Sequence, residues 1–401
     1  MFIAHRFPNS LPDESIVKEV SEVPILGKTL GELQDWAVKL NGGNWSSDGV
    51  AQLWIREDVH VSHQAIALFL EMVSGSDKDV QWRAEGAAGG FVREIGFDED
   101  TPMMVWLTEP AGLDLDRLNR SEVLPIDVKT YPIQIPAPQE GMGADFVSLP
   151  LSDAIVIPVG HWSQTLWGNL LSLGPYLWRE LVGNNVVKMI FRLGMAMVLS
   201  LSKDPSKLIR RFVQKGKGCK IHPSAVVEGC LLGDYVTIGA NAVVRGCVLR
   251  DGAKVEELAV VEGSVLSEYS VVQRQGMVKY AVLSEGSAVA GVVQLGVLGQ
   301  NAAVKRGGYL MDMNFGGLVQ VQYNGIAKNA PLGLIGCSIG EDTIIGLGVA
   351  VAAGRSVKPK LKVVMHPDQM LRSVAIELEE GDEDSTLVYV DKGRLRRFHA
   401  D

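Results

Sequence analysis

Aliphatic residues recur every five or six positions through the second half of the chain. The series begins with Ile221, Val227, Leu232, Ile238, Val244, Leu249 and Val255, and small or polar residues fill the positions between. An amphipathic helix would space its apolar residues three and four apart, and a half-buried strand would alternate them. One aliphatic in about six residues instead predicts short strands stacked in the coils of a parallel β-helix.

A longer repeat of 17 residues supports that interpretation. Four similar segments follow one another in strict step, at 229–234, 246–251, 263–268 and 280–285, and a fifth returns out of step at 336–341. Seventeen residues are three hexapeptides less one residue, so each period predicts one coil with three strands. Small residues suit the corners, where a larger side chain would clash.

The N-terminal region has the periodicity of an α/β domain. Apolar spacing predicts a helix from Leu30 that stops at Gly42, a strand over 51–55 and a helix over 62–73. Asp58 follows the strand, at the edge where open α/β sheets bind their ligands. The residue either contacts a ligand or simply caps the turn.

These patterns divide the chain into four regions. They are an α/β domain over 1–158, a helical connector over 159–218, the β-helix over 219–365 and a tail over 366–401 that caps the open coil end. In the connector, the apolar stretch 186–201 is too short and too charged to span a membrane. It is expected to be buried between domains or subunits, or to lie on a membrane surface, with basic residues of 186–211 facing lipid phosphates.

Composition narrows the function classes. The chain has 401 residues, is 47% hydrophobic and carries a net charge of −9. Its acidic balance and its lack of a long basic block argue against a nucleic-acid partner. All four cysteines lie in the repeat and none forms a CxxC pair. With no signal segment at the N-terminus, this predicts reduced, buried thiols in a cytoplasmic protein, with no metal or disulfide site.

The N-terminal region resembles the sugar-1-phosphate nucleotidyltransferases. Residues 24–30 match that family's proline-to-helix step, and 53–59 match its strand-to-helix step, with Asp58 at the position of the acidic residue. The family's Gly-rich phosphate loop has no counterpart, because residues 1–23 contain no glycine. The resemblance therefore implies a degenerate nucleotidyltransferase-like domain that has lost nucleotidyl transfer.

The C-terminal half resembles bifunctional sugar nucleotidyltransferases with left-handed β-helix domains, including uridyltransferase/acetyltransferase enzymes. Asn314-Phe315 matches their Asn-aromatic step, and 332–354 matches the glycine pattern that follows. The resemblance implies a homotrimer with a sugar or nucleotide sugar as acyl acceptor, contacted by Asn314 and Lys328. The family's general-base histidine has no match; His222 or His366 would serve only if a neighbouring subunit brought it close.

The same resemblance implies acyl-CoA as donor, in a groove between two coils. Lys305, Arg306, Arg355 and Lys358 are the candidates for its phosphates, and solvated coil corners are an equal interpretation. An acceptor amine or hydroxyl would attack the thioester while a base removes its proton and an N–H donor stabilises the oxyanion. Three hypotheses result: such an acyltransferase, a non-catalytic scaffold or binding protein, and a nucleotidyltransferase with an unusual phosphate site.

Overall fold

The fold is described from a computed structural model. It describes residues 2–7, 23–97, 102–136, 146–183, 186–200, 208–314, 317–371, 388–391 and 394–397. An N-terminal α/β domain is followed by a long helix, and the helix is followed by a parallel β-helix.

The N-terminal domain contains one large sheet and several two-stranded ribbons. Its strands are β1 (Phe2–Phe7), β2 (Pro24–Ile25), β3 (Lys28–Thr29), β4 (Gly43–Trp45), β5 (Ala51–Arg56), β6 (Val59–Val61), β7 (Val80–Glu85), β8 (Met104–Ala111), β9 (Glu122–Asp127), β10 (Tyr131–Pro136), β11 (Phe146–Leu151) and β12 (Val156–Pro158). The large sheet has the order β4-β1-β5-β8-β7-β9. Only β8 runs antiparallel to its neighbours in this sheet, so the carboxyl ends of β1, β5, β7 and β9 share one edge.

Capping side chains mark the start of several helices in the described residues. In the described residues the helices are α1 (Leu30–Leu40), α2 (His63–Val73), α3 (Gly86–Ile95), α4 (Leu115–Arg120), α5 (Trp162–Leu181) and α6 (Val186–Ser200). Thr29 and Glu32 form a capping box at α1. Ser62 caps α2, where its Oγ accepts a hydrogen bond from Ala65 N at 3.2 Å. The predicted helices from Leu30 and over 62–73 are thus present.

Helix α5 lies between the N-terminal domain and the β-helix. Trp167 packs edge-on against Phe91, with ring centroids 5.5 Å apart. The same apolar cluster includes Val248 and Val265 from the coil. The helix predicted to start the connector therefore packs against both domains, as the shared wall between them.

The C-terminal half is a parallel β-helix of three sheets, the arrangement of the left-handed hexapeptide coils. Sheet A contains the strands Val213–Lys215, Cys230–Leu232, Val248–Leu249, Val265–Leu266, Val282–Leu283, Val297–Leu298, Ser338–Ile339 and Ser356–Val357. Sheet B contains Lys220–Ile221, Thr237–Ile238, Lys254–Val255, Val271–Val272, Ala288–Val289, Ala303–Val304, Ile344–Ile345 and Lys362–Val363. Sheet C contains Val226–Glu228, Val243–Arg245, Val260–Glu262, Met277–Lys279, Val292–Gln294, Tyr309–Leu310 and Ala350–Val351.

Coil length departs from the repeat in three places, the last of which is the final coil, where Ser338 pairs with Ser356 after 18 residues. Met277 pairs with Val292, so the coil that joins them has 15 residues and not 17. Val297 then pairs with Ser338 across a long insertion. The first strand of sheet A begins at Val213, so the coil starts within the segment predicted as connector.

Charged side chains stack along the edge between sheets C and A. We call Glu228, Arg245, Glu262 and Lys279 the charge ladder. Arg245 Nε lies 3.0 Å from Glu228 Oε2, and its Nη1 lies 3.3 Å from Glu262 Oε1. Lys279 Nζ lies 3.0 Å from Glu262 Oε2. The sign of the charge therefore alternates from coil to coil.

The three sheets differ in what covers their outer faces. Helix α5 covers sheet A, whose outward Val248 and Val265 are only 1% exposed. Sheets B and C keep partly exposed apolar residues at outward positions, namely Val271, Ala288, Ile344, Val226, Val243, Val260, Met277 and Val292. On sheet B these residues share the face with Lys220, Lys254 and Lys362, and on sheet C they share it with the charge ladder. The two faces are thus partly apolar, and the described part of the chain leaves these residues partly exposed.

Helix α6 presents large apolar side chains to solvent. Val187, Ile190 and Phe191 are 74%, 63% and 66% exposed. Within one chain the helix is therefore not buried between domains, contrary to one expectation. None of the helices in the described ranges is both long and apolar enough to cross a membrane.

The tail returns towards the last coil. A 3₁₀ turn, Pro367–Gln369, follows the final strand of sheet B, and a hairpin of Val388–Asp391 and Arg394–Arg397 contacts this turn. The described part of the tail therefore lies at the open end of the coil, where a cap was expected.

Candidate functional site

An insertion leaves the coil at the edge between sheets C and A. It follows Leu310 and ends before Ser338. Its centre is an antiparallel hairpin of Gln320–Tyr323 and Ile326–Asn329, which we call the edge hairpin. The insertion contains the Asn-aromatic step from the sequence, of which Phe315 lies outside the described residues.

The edge hairpin also contacts the N-terminal domain. The rings of Tyr323 and Phe97 lie 4.4 Å apart. Just after the hairpin, Leu332 N donates a hydrogen bond to Glu94 Oε1 at 3.1 Å. The insertion is consequently held by the coil on one side and by the N-terminal domain on the other.

Three of the predicted ligand-binding residues surround this hairpin. Asn314 is exposed, and its Nδ2 donates to Leu318 O at 3.5 Å. Lys328 is half-buried on the second strand. Arg355, in the next coil, donates from Nη1 to Gln320 O at 3.4 Å. The structure thus gathers Asn314, Lys328 and Arg355 at one edge of the prism, with polar groups available to a ligand.

The other cationic candidates lie on different edges. Lys305 and Arg306 follow a strand of sheet B and precede one of sheet C. Lys358 follows a strand of sheet A and precedes one of sheet B, whereas Arg355 lies between sheets C and A. A single chain therefore does not bring these four residues together, and a shared groove requires a second coil beside the first.

The two candidate histidines lie at opposite ends of the coil. His222 follows the first strand of sheet B, and His366 comes soon after the eighth. Strand spacing in a sheet places these ends about 33 Å apart. Both side chains are exposed; His222 Nδ1 lies 2.8 Å from Ser224 Oγ, and His366 Nδ1 lies 3.4 Å from Asp368 Oδ2.

A further histidine, His161, has the contacts of a helix cap. It is 2% exposed, and its Nδ1 lies 2.6 Å from Ser163 Oγ at the start of α5. Its Nε2 lies 3.1 Å from Gln322 O of the edge hairpin. His161 therefore joins α5 to the hairpin.

Asp58 is part of a buried ion pair. Its side chain is 2% exposed, and its Oδ1 and Oδ2 lie 2.5 Å and 3.2 Å from Arg56 Nε and Nη2. Its carbonyl accepts a hydrogen bond from Val159 N at 2.8 Å. These contacts fit the turn-capping alternative. Across the described ranges, no group of three or more His, Cys, Asp and Glu is placed to hold a metal ion.

The cysteines are free, as predicted from their placement in the repeat. Cys230, Cys247 and Cys337 are buried, and Cys219 is partly buried. Burial raises the pKa of the Cys337 thiol to about 12. Burial, followed by the neighbouring Cys230, raises the pKa of Cys247 well above its ordinary value. At neutral pH the Cys247 and Cys337 thiols are therefore uncharged and poor nucleophiles.

One protein-family model matches part of the chain. Residues 216–246 match the model of a family described as bacterial transferase hexapeptide (six repeats). The matched residues lie in the first coils of the β-helix. No curated protein was found to match the chain.

Solved structures match part of the chain at low identity. Two of them are a Bacillus cereus protein provisionally assigned as an acetyltransferase and a hexapeptide transferase family protein from Anaplasma phagocytophilum. Each is 14% identical to this chain, and each match covers 36% of this chain and 78% of the other. The TM-scores are 0.17 and 0.16, values at which the likeness supports no conclusion about activity.

A pocket between the two domains was not predicted from the sequence. Its lining includes His60, His63 and Ser172, to which no role was assigned. The available signal was weak: a single polar residue, His60, interrupts the apolar run Val59–Val61. Nothing in the sequence showed that this residue and Ser172 line the same pocket.

Proposed function

We propose that the protein is a homotrimeric acyltransferase that uses acyl-CoA as donor and a sugar or nucleotide sugar as acceptor. One observation carries the proposal: the hexapeptide coil bears an insertion that gathers Asn314, Lys328 and Arg355 at one edge. The match of 216–246 to the bacterial transferase hexapeptides supports it. In this proposal Asn314 and Lys328 contact the acceptor.

A trimer would use the two uncovered faces of the prism. Sheet A is covered by α5, whereas sheets B and C carry outward apolar residues. We expect sheet B of one coil to pack against sheet C of the next around a three-fold axis. This arrangement would place Arg355 of one coil beside Lys358 of its neighbour, and the two cations would then border a shared groove for the phosphates of CoA.

The chemistry of the proposed site is a single acyl transfer. The acceptor oxygen or nitrogen forms a bond to the thioester carbonyl carbon, the carbon–sulfur bond breaks, and CoA leaves as its thiol after taking a proton. Of the two candidate bases, His366 lies at the hairpin end of the coil, and His222 is several coils away. In this proposal the N-terminal domain is nucleotidyltransferase-like and no longer performs nucleotidyl transfer.

The test combines mass, binding and turnover. Light scattering should give three times the chain mass of 43.4 kDa. In calorimetric titrations with acetyl-CoA, Arg355→Ala and Lys358→Ala should each weaken binding about fivefold or more, because each removes a charge from the phosphate groove. Asn314→Ala should lower acyl transfer about tenfold and leave acetyl-CoA binding unchanged. Lys78→Ala, an exposed cation on the N-terminal domain, is the matched control.

The non-catalytic scaffold is the competing function. The distance between the candidate histidines and the exposure of both favour it, since neither is held in a catalytic geometry. A trimer that binds no acyl-CoA would support the scaffold and contradict the transferase. A monomer that binds acyl-CoA would contradict the shared groove.

A further inference from the structure

A pocket of about 210 Å³ lies where the N-terminal domain, α5 and the β-helix meet. We call it the interdomain pocket. Its walls come from α1, the first turn of α2, α5, and Arg250 of the coil. Neither the edge hairpin nor Asp58 lines it. The pocket is therefore a separate place from the proposed acyl-transfer site, and the inference below does not depend on acyl transfer.

Two buried polar side chains line this pocket without a hydrogen-bond partner in the described structure. They are His60, which is 5% exposed and unpaired at Nδ1, and Ser172, which is 3% exposed and unpaired at Oγ. His60 lines the pocket together with its neighbour Val61, and Val59 and Val61 also belong to the apolar core of the N-terminal domain. Buried polar atoms are normally hydrogen-bonded, so these two atoms suit hydroxyl groups of a ligand.

The first turn of α2 adds donors for an anion. The first intrahelical hydrogen bond of α2 runs from Ile66 N to Ser62 O at 3.2 Å. The backbone amides of His63 and Gln64 come before this first hydrogen bond and therefore have no carbonyl partner within the helix. Such amides, together with the positive end of the helix dipole, bind phosphate and carboxylate groups.

The charges around the pocket favour a ligand with more than one negative charge. Lys28, Arg179 and Arg250 are cationic, and Asp153 and Glu180 are anionic. The excess of one positive charge adds to the partial positive charge of the α2 terminus. A phosphate monoester carries a charge of about −1.5 to −2 at neutral pH. It therefore neutralises the combined positive charge of these side chains and the α2 terminus better than a single carboxylate does.

Arg179 is held in place for such a contact. Its guanidinium carbon lies 5.3 Å from the ring centroids of both Trp36 and Tyr176. Its Nε donates to Glu180 Oε1 at 3.2 Å. A guanidinium fixed between two rings loses little freedom when it binds a phosphate with its remaining N–H groups. Trp36 and Tyr176 also give the pocket an apolar wall for the body of the ligand.

We infer that the interdomain pocket binds a small phosphate monoester. The phosphate oxygens accept from the α2 amides and from Arg179, and the hydroxyl groups of the ligand bind His60 and Ser172. Arg250 reaches the pocket from the coil and donates from Nε to Leu26 O at 3.1 Å in the β2–β3 turn. A bound monoester therefore stabilises the contact between the coil and the N-terminal domain.

The test is calorimetric titration of the full chain with glycerol 3-phosphate, inorganic phosphate, glycerol and malate. Glycerol 3-phosphate should bind most tightly, inorganic phosphate more weakly, and glycerol and malate not measurably. Arg179→Gln should weaken both phosphates about tenfold, because it removes a charge-assisted hydrogen bond. Ser172→Ala should weaken glycerol 3-phosphate about threefold and leave inorganic phosphate unchanged.

A matched control and a second readout keep the test decisive. Arg274→Gln removes an exposed cation of the coil and should change neither affinity. Glycerol 3-phosphate should also raise the melting temperature of the wild-type chain. Malate that binds as tightly as glycerol 3-phosphate would overturn the phosphate assignment. Absent binding of both phosphates, or affinities that Arg179→Gln and Ser172→Ala leave unchanged, would overturn the site. Ser172→Ala removes a single oxygen, so it remains informative if the arginine variant unfolds.

Discussion

The β-helix and the N-terminal domain bury their cores with different degrees of repetition. In the coil, Val244 pairs with Val261 and Val261 with Val278, so one kind of packing recurs every 17 residues. In the N-terminal domain, arrangements such as that of Trp167 against Phe91 occur once. When one coil is damaged, its neighbours keep the same packing, whereas a unique arrangement has no substitute. We therefore expect the N-terminal domain to be the more sensitive to individual side chains.

Among the substitutions that test this contrast, Trp167→Ala should destabilise the N-terminal domain most. The side chain is 2% exposed, and truncation of a buried tryptophan costs about 3–5 kcal/mol in the free energy of unfolding. Five of the eight tryptophans lie in the N-terminal domain, three lie on α5 and none lies in the coil. Urea unfolding followed by tryptophan fluorescence therefore reports the N-terminal domain and its contact with the coil. Circular dichroism follows both regions, and we expect its coil transition to stay in place.

The control for this change lies on the same helix. Trp178 is 54% exposed, and Trp178→Ala should cost less than about 1 kcal/mol. If Trp167→Ala shifts the coil transition as much as the fluorescence transition, the two regions unfold as one unit and the contrast drawn above is wrong.

Acid should weaken the N-terminal domain through His60. Burial lowers the pKa of this imidazole from 6.5 to about 4. Between these two pH values the unfolded chain binds more protons than the folded one. The stability contributed by neutral His60 is therefore complete above pH 6.5 and is lost as the pH falls towards 4, by about 3 kcal/mol in all. His63, whose pKa burial and the charge of Arg179 also lower, acts in the same direction.

The measurement is the fluorescence-detected free energy of unfolding as a function of pH. In His60→Asn the slope between pH 4 and 6.5 should become shallower, because the depressed imidazole is gone. An unchanged slope in the variant would assign the acid sensitivity to other groups.

Arg245→Gln should lower the free energy of unfolding of the coil by a small amount and leave that of the N-terminal domain unchanged. The change removes the ion pairs of Arg245 with Glu228 and Glu262. The arginine side chain is 49% exposed, so we expect a loss of about 1 kcal/mol or less, and less again in high salt. Arg274→Gln, whose partner Glu257 lies outside the charge ladder, is the comparison. A loss that does not depend on salt would show that the ladder acts through packing.

Phe191→Asp should leave the free energies of unfolding of the N-terminal domain and of the coil unchanged, because the side chain is already 66% exposed. We expect it to abolish binding of the wild-type chain to vesicles that contain anionic lipid, since α6 has an exposed apolar face and carries Arg192, and since Arg210 and Arg211 follow the helix in the chain. Co-sedimentation is the measurement. If the wild-type chain does not sediment with the vesicles but Phe191→Asp changes its oligomeric mass, the face is a subunit contact.

The coil could be predicted because every turn of it repeats the same steric demand. The strands that pair in register at Leu231, Val248 and Val265 lie where the 17-residue period placed them. The coil between Met277 and Val292 escaped the alignment because it is two residues shorter than its neighbours. Its shorter corner leaves the strands in register, so the structure tolerates a change that a strict period does not detect.

The sites were harder to predict because they depend on contacts between distant parts of the chain. Asn314 bonds to Leu318, just before the edge hairpin, and Arg355 bonds to Gln320 of the hairpin only because the coil that follows the insertion returns to it. His60 and Ser172 line one pocket although β7, β8 and β9 of the large sheet lie between them in sequence. By contrast, the partner of Asp58 is only two residues away at Arg56, and its turn-capping contacts were within reach of the sequence.

The charge ladder also limits how the gene for this coil can grow. Its signs alternate from Glu228 through Arg245 and Glu262 to Lys279. Duplication of a single repeat would leave the aliphatic core stacked and yet place two like charges side by side. Duplication of two repeats together would preserve the alternation. Coils of this kind should therefore lengthen more easily by pairs of repeats than by one.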